Sequence, residues 1–415
     1  MLGPGLITGA ADDDPSGIAT YSQGGAQFGY ALSWTMFLTT PFMIAIQLVS
    51  ARIGAVTGQG LAANLAKAMP PFPLHGLVAL LLIANTFNLA ADVAAMAEAL
   101  RLVVGGPLLI YVAVFGIGCL ITEILMPYRR YARYLKALTL VLFAYVVAAF
   151  SIRIPWGEVL EATFLPRLSW DRDYLLMLVA IFGTTISPYM FFWQAGLEAE
   201  ERKLRSKAPD TAAAAALPNR LAQRESFRIK LDTTIGMVLS NIIGFFIIVT
   251  TAATLHAHGV THIGTAAQAA EALRPLAGPF TFLLFSAGII GTGLLAVPVL
   301  AGSAGYAVAE AFGWEGSLEL PARSAPGFYL VVTAATLAGL AAALTPLDPI
   351  RMLFWSAVVN GIVAVPLMVA MMLVVASTKI MGRFAASRTL MIFGWGATAL
   401  MGVVVAAMLF TSGAG

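Results

Sequence analysis

Apolar residues run through this chain in long blocks, each ended by a short cluster of glycine, proline or charged positions. Crossing the hydrocarbon core of a bilayer takes about 20 apolar residues. Eleven windows of that order can be laid on the chain: 4–27, 33–58, 75–102, 107–126, 136–153, 174–199, 230–255, 276–311, 326–345, 350–377 and 388–411. The polar positions inside these windows are few, so each one needs a physical reason.

Composition agrees with the pattern. Hydrophobic residues make up 59% of the 415, and charged residues only 11%. A soluble chain of this length carries far more surface charge, so the expectation is an all-α integral membrane protein with the bilayer as its solvent. No signal-peptide pattern precedes the first window. Basic residues gather in alternate loops: Lys67, then Arg129, Arg130, Arg133 and Lys136, then the run from Arg202 to Lys230, then Arg323, then Lys379, Arg383 and Arg388. That asymmetry places the N-terminus in the cytoplasm and, with eleven spans, the C-terminus outside. A bacterial inner membrane is the expected setting. The net charge of +3 belongs to these loops and does not indicate nucleic-acid binding. The lipid bilayer is then the main partner, and a monomeric state is compatible with the sequence.

The one cysteine, Cys119, excludes an intramolecular disulfide and a cysteine-based metal site. Loop 200–229 reads as a solvated connector or as a regulatory element. The histidines of HAHGVTH (His256, His258 and His262) read as a solvated outer loop. Walker, nucleophile-elbow and zincin patterns are absent, so an enzyme is not expected. No cofactor is implied.

Two windows contain breaks. In GPGLITGAADDDPSGIATY, three aspartates, Asp12, Asp13 and Asp14, run into Pro15, with Ser16 and Gly17 easing the unwinding. In IFGTTISPYMFFWQAG, Pro188 follows Gly183, Thr184, Thr185 and Ser187. A helix breaks at membrane depth only where its freed backbone groups line protein or a water-filled cavity. Breaks at the start of the first and second sets of five helices are the mark of a five-plus-five inverted repeat, with the substrate held between them near the midplane. The expected units are 1–153 and 174–377, followed by 378–415 with the last span.

The segments GPGLITGAADDDPSGIATYSQGGAQFGY and IQLVSARIGAVTGQGLA resemble the Nramp family of divalent-metal transporters. ANTFNLAADVAAMAEAL, GTTISPYM, LDTTIGMVLSNIIG and AGSAGYAVAEAFGW extend the likeness more weakly. The resemblance implies a LeuT-like fold with discontinuous helices 1 and 6. It also implies a metal ion bound at Asp14, with the backbone carbonyls of Ala11 and Thr184 as further ligands. The departures are as informative. Gly17 stands where the family has asparagine. Ser187-Pro188-Tyr189 stands for Met-Pro-His, so Ser187 lacks the thioether and Tyr189 the imidazole. Asp92 keeps the family's helix-three aspartate, but Ala95 replaces its glutamate.

Without the soft sulfur the site is all oxygen, which favours a hard, hydrated ion. Magnesium is the preferred cargo, with manganese second. Asp13 and Ser187 are included among candidate ligands. Asp12, Gly17, Asn88, Asp92, Tyr189 and Asn360 are candidates for the ion pathway. For Asp12 and Asp13 the alternative is that they only hold the unwound segment, and for Asn88 and Asp92 that they pair between helices. Two carboxylates about 6 Å apart at an effective dielectric near 20 repel by about 3 kcal/mol, so a cavity holding the triplet takes up a proton or a cation. With the family's histidine and glutamate replaced, proton coupling is expected to be weak or absent. The competing readings are a proton-coupled manganese or iron symporter, a transporter of an organic substrate on the same fold, and a membrane sensor that no longer transports.

Overall fold

The computed structural model describes residues 4–125, 140–206, 219–345 and 348–413. Among them every regular element is a helix. The first window is split in two, α1 (Pro4–Asp12) and α2 (Pro15–Phe28). Then come α3 (Trp34–Thr57), the short α4 (Leu61–Ala68), α5 (Pro71–Val104) and α6 (Leu108–Leu125). Next are α7 (Phe143–Ser151) and α8 (Trp156–Phe164), a pair bent by 118°. The sixth window is also split, into α9 (Arg172–Thr185) and α10 (Pro188–Ser206). The chain continues through α11 (Asn219–Thr254), α12 (Thr281–Ala311), α13 (Pro326–Ala343), α14 (Pro349–Ala376) and α15 (Arg388–Gly413). Nine helical stretches of the described residues are long and apolar enough to cross a bilayer.

The unwound turn in the first window is Asp13–Asp14, immediately before Pro15 and three residues ahead of Ser16-Gly17. The reason is local chemistry. Proline at the first helical position has no N–H to leave unpaired, and Asp14 before it accepts from the Gly17 amide, so the pair starts a helix. Ser16 and Gly17 therefore sit inside the first turn of α2. The supposed connector at 200–229 is likewise shorter than its polarity suggested, because α10 runs on to Ser206 and α11 begins at Asn219. Charged residues with good helix propensity carry both helices beyond the apolar stretch. Residues 207–218 of that loop, and 136–139 of the fifth window, lie outside the described residues.

Close helix contacts hold the broken helices in place. Between apolar helices in lipid there is no hydrophobic drive, so small residues that let backbones approach matter most. A Cβ on Gly9 would lie 2.4 Å from the Gly236 carbonyl carbon, and one on Gly236 would lie 2.5 Å from the Gly5 carbonyl oxygen. This seam seats α1 on α11, and the Gly5 amide donates to Asp232 Oδ2 at 2.7 Å. On the other side, a Cβ on Gly183 of α9 would lie 2.0 Å from the Ala357 carbonyl of α14. Around these contacts, α3 packs on α10 and α12 packs on α5. Phe150, Ile392 and Phe410 are among the large apolar side chains left on the outside, as expected of a lipid-facing surface.

The seam generates a prediction. Gly9→Val has no room against α11, so α1 should lift away, and hydrogen exchange in residues 4–12 should rise while α5 and α12 stay protected. Unchanged exchange in α1 would mean that the seam does not hold it.

Candidate functional site

Asp14 is the hinge between the two halves of the first window. Its Oδ1 accepts from the Gly17 amide at 2.8 Å and from Ser16 Oγ at 2.6 Å. Oδ2 points the other way, accepting from Asn88 Nδ2 on α5 at 3.1 Å, with the Tyr189 hydroxyl at 3.5 Å. That hydroxyl also donates to the Ala11 carbonyl at 3.2 Å, bridging the last turn of α1 and the first turn of α10. The structure thus brings Asp14, Ala11, Asn88 and Tyr189 together, and all four are buried.

The second break faces this cluster. Ser187 Oγ donates to the Gly183 and Thr184 carbonyls at 2.7 and 2.9 Å, closing the end of α9 on itself. Thr184 Oγ1 is buried without a hydrogen-bond partner. A Cβ on Gly17 would stand 3.2 Å from that oxygen, so the first turn of α2 lies directly against the last turn of α9. A side chain at position 17 would press on Thr184, which would have to give by a few tenths of an ångström.

Asp12 and Asp13 turn elsewhere. Both carboxylates meet Ser240 of α11, Asp12 through Oδ2 and Asp13 through Oδ1 at 3.0 Å. A hydroxyl has one proton to give, so the second contact calls for a proton on a carboxyl or a cation between them. The capping role of Asp14 fixes its side chain into α2, whereas Asp13 bonds Ser240 of α11 and stays within electrostatic reach of Asp14. Asp13 and Asp12 share Ser240 rather than the hydrogen-bond partners of Asp14.

Several buried polar atoms have no partner: Asn88 Oδ1, both carboxylate oxygens of Asp92, and the amide nitrogen and oxygen of Asn360 on α14. Gln47 on α3 belongs with them and was not singled out from the sequence. Its amide is fully unpartnered, and it precedes Ser50, whose hydroxyl bonds the Phe191 carbonyl of α10, on the same helix face. The signal was there: one glutamine inside the apolar run PFMIAIQLVS. A buried polar group left unpaired costs about 1–3 kcal/mol, and such groups suit a charged guest that brings its own waters. Among the described residues no three His, Cys, Asp or Glu side chains gather as a metal cage. Asp14 is the one carboxylate of the cluster, flanked by the carbonyl ends of α1 and α9, whose dipoles favour a cation.

The histidine loop is more engaged than its polarity suggested. His256 Nδ1 is 2.8 Å from the Ala26 carbonyl, and His262 Nδ1 is 3.4 Å from Gln23 Nε2, so the loop clasps the end of α2.

The family model described as natural resistance-associated macrophage protein-like (Nramp) matches residues 5–411. The chain belongs to the Nramp family. Among curated relatives, a divalent metal cation transporter MntH of Mesorhizobium japonicum is 27% identical over 327 residues, covering 75% of this chain and 67% of that one. The MntH of Yersinia enterocolitica is 28% identical over 320 residues, covering 75% and 73%. The solved manganese transporter of Eremococcus coleocola superposes with a TM-score of 0.72 at 16% identity, covering 98% of this chain and 86% of that one. The closed conformation of Mhp1, a nucleobase-cation-symport-1 family transporter, gives 0.60 at 14% identity, covering 100% and 93%. The Nramp chain described above thus has the LeuT-like inverted-repeat fold, with helices 1 and 6 discontinuous, and is a multi-pass integral membrane protein.

Capping and ligation by Asp14 can be separated. Asparagine caps a helix about as well as aspartate, whereas alanine forfeits about 1 kcal/mol. Thermal unfolding in detergent should therefore show Asp14→Asn close to wild type and Asp14→Ala less stable. Equal loss in both would mean that the carboxylate's charge holds the break together.

Proposed function

We propose that this protein carries a divalent metal cation across the membrane by alternating access, with the ion held between the two helix breaks. The observation that carries the reading is Asp14 Oδ2 beside the Ala11 carbonyl, buried where α1, α5 and α10 meet. The names of the curated relatives, divalent metal cation transporters, support it. Asp14 supplies the charge, the carbonyls of Ala11 and Thr184 supply fixed oxygens, and Pro15 and Pro188 keep both helices open at this depth. Ser187, Asn88 and Asn360 offer neutral oxygens to the ion or its waters. Asp13 and Asp12 act from the α11 side as charge near the path, not as direct ligands. Residues 1–153 and 174–377 form the two repeats that rock about the site, and 378–415 adds the last span. The expected setting is a bacterial inner membrane with the N-terminus in the cytoplasm.

The cargo we infer is a hard, hydrated ion, magnesium first. Ser187 gives no soft ligand, and one carboxylate among neutral oxygens fits an ion that keeps several waters. The solved manganese transporter of the same fold favours manganese as the second choice. Proton coupling through the positions of Tyr189 and Ala95 is weak or absent, because a tyrosine titrates near 10 in water and alanine not at all.

Proteoliposome flux tests these statements. Wild type should move magnesium and manganese, and Asp14→Asn should reduce both by at least about tenfold, the loss of about 1.4 kcal/mol or more of binding. Equal flux in wild type and variant would end the assignment of Asp14. Ser187→Met should shift preference toward manganese and cadmium over magnesium, and an unchanged preference would remove Ser187 from the ion's surroundings. A dye inside the vesicles should report little acidification during metal uptake; strong acidification would favour the proton-coupled manganese or iron symporter instead.

A further inference from the structure

Helix α6 is the most lipid-exposed of the early helices, with Ile110, Val114, Ile117, Ile121 and Leu125 all on the outside. Its buried residues are Val112, Gly116, Cys119 and Glu123, spaced by four, three and four along one face. A glutamate thus ends the buried stripe of a helix that is otherwise apolar. Glu123 is 7% exposed, its Oε1 has no hydrogen-bond partner, and Oε2 has only the Thr336 hydroxyl of α13 at 3.5 Å. Across the interface on α5, Asp92 is fully buried with both oxygens unpartnered. Cys119 lies between them, within electrostatic reach of both. Asp92 is in turn within reach of Asp14.

The surroundings contain nothing to neutralise a charge on Glu123. Among the described residues no Lys, Arg or His pairs with either acid. The titratable groups within electrostatic reach of Glu123 are Cys119 from its own helix and Tyr329 from α13. On α12, Tyr306 bonds Glu200 and Glu310 bonds the amides of Ala62 and Ala63, so neither serves it. Leaving a carboxylate bare at such a place costs several kcal/mol. A divalent ion does not fit, since no third ligand of that kind joins the two acids. A proton needs only one oxygen.

We propose that Glu123 is a proton-binding site, separate from the Asp14 cluster, which holds a proton inside the α5–α6–α13 interface. Because the proton binds and leaves without crossing the membrane with the ion, this site gives transport a pH dependence without making the proton a cargo. The positions of Tyr189 and Ala95 take no part.

Infrared spectroscopy of the protein in lipid nanodiscs reads the proton directly. At about pH 8, where a glutamate in water is fully ionised, wild type should retain a protonated-carboxyl band that is reduced in Glu123→Gln. Glu98→Gln, which alters an acid paired with Arg101, should leave the band intact. Thr336→Val keeps the acid but removes its one hydrogen-bond partner, and should move the band to higher frequency. Metal flux should vary with pH over the range in which the band titrates, and lose that variation in Glu123→Gln. A band undiminished in Glu123→Gln and unmoved in Thr336→Val would overturn the proposal. The band is read without metal, so its loss or survival is independent of whether Asp14 binds an ion.

Discussion

Everything in this fold follows from one constraint: inside a bilayer no water is available to satisfy a backbone amide or carbonyl. Unbroken helices meet it by themselves. The two broken ones meet it by borrowing partners, and the lending is specific. Asp14 takes the Gly17 amide, Tyr189 takes the Ala11 carbonyl, and Ser187 takes the carbonyls at the end of α9. The same groups that repair the backbone are the polar groups gathered at the centre of the molecule. Repair and site are one arrangement.

That arrangement depends on close packing further out. The glycine seam of α1 on α11 and the contact of Gly183 with α14 bring backbones nearer than any side chain allows. Glycine in a helix interior costs up to about 1 kcal/mol relative to alanine, so its repetition at these positions is explained by approach, not by propensity. The half-helices are thereby held by contacts made mostly of backbone, which can be released and remade as rigid units. Alternating access needs elements of that kind.

Much of this was legible in the chain. The apolar windows marked the spans, and DDDP and ISPY marked the breaks, because proline and a bilayer are incompatible unless the backbone is rescued. Asn88 reaching Asp14 was readable only as a shared helix face with Asp92. The direction of Asp13 was not readable, since it depends on Asp14 being committed as a cap and on Ser240 arriving from a distant helix. Glu123 and Gln47 stood in plain view as single polar residues in apolar runs. Their meaning needed the neighbouring helices, because a lone acid looks the same whether its partner is present or missing. The polar stretch that begins at residue 200 misled for the opposite reason: charged residues extend a helix as readily as they end a span.

The central claim is that a divalent cation sits at Asp14 between the two breaks. Anomalous diffraction from crystals grown with manganese tests it most directly. The account predicts a peak bounded by Asp14, the Ala11 carbonyl and the end of α9 at Thr184, lost in Asp14→Asn. A peak at Asp12, Asp13 and Ser240 with nothing at Asp14 would contradict it.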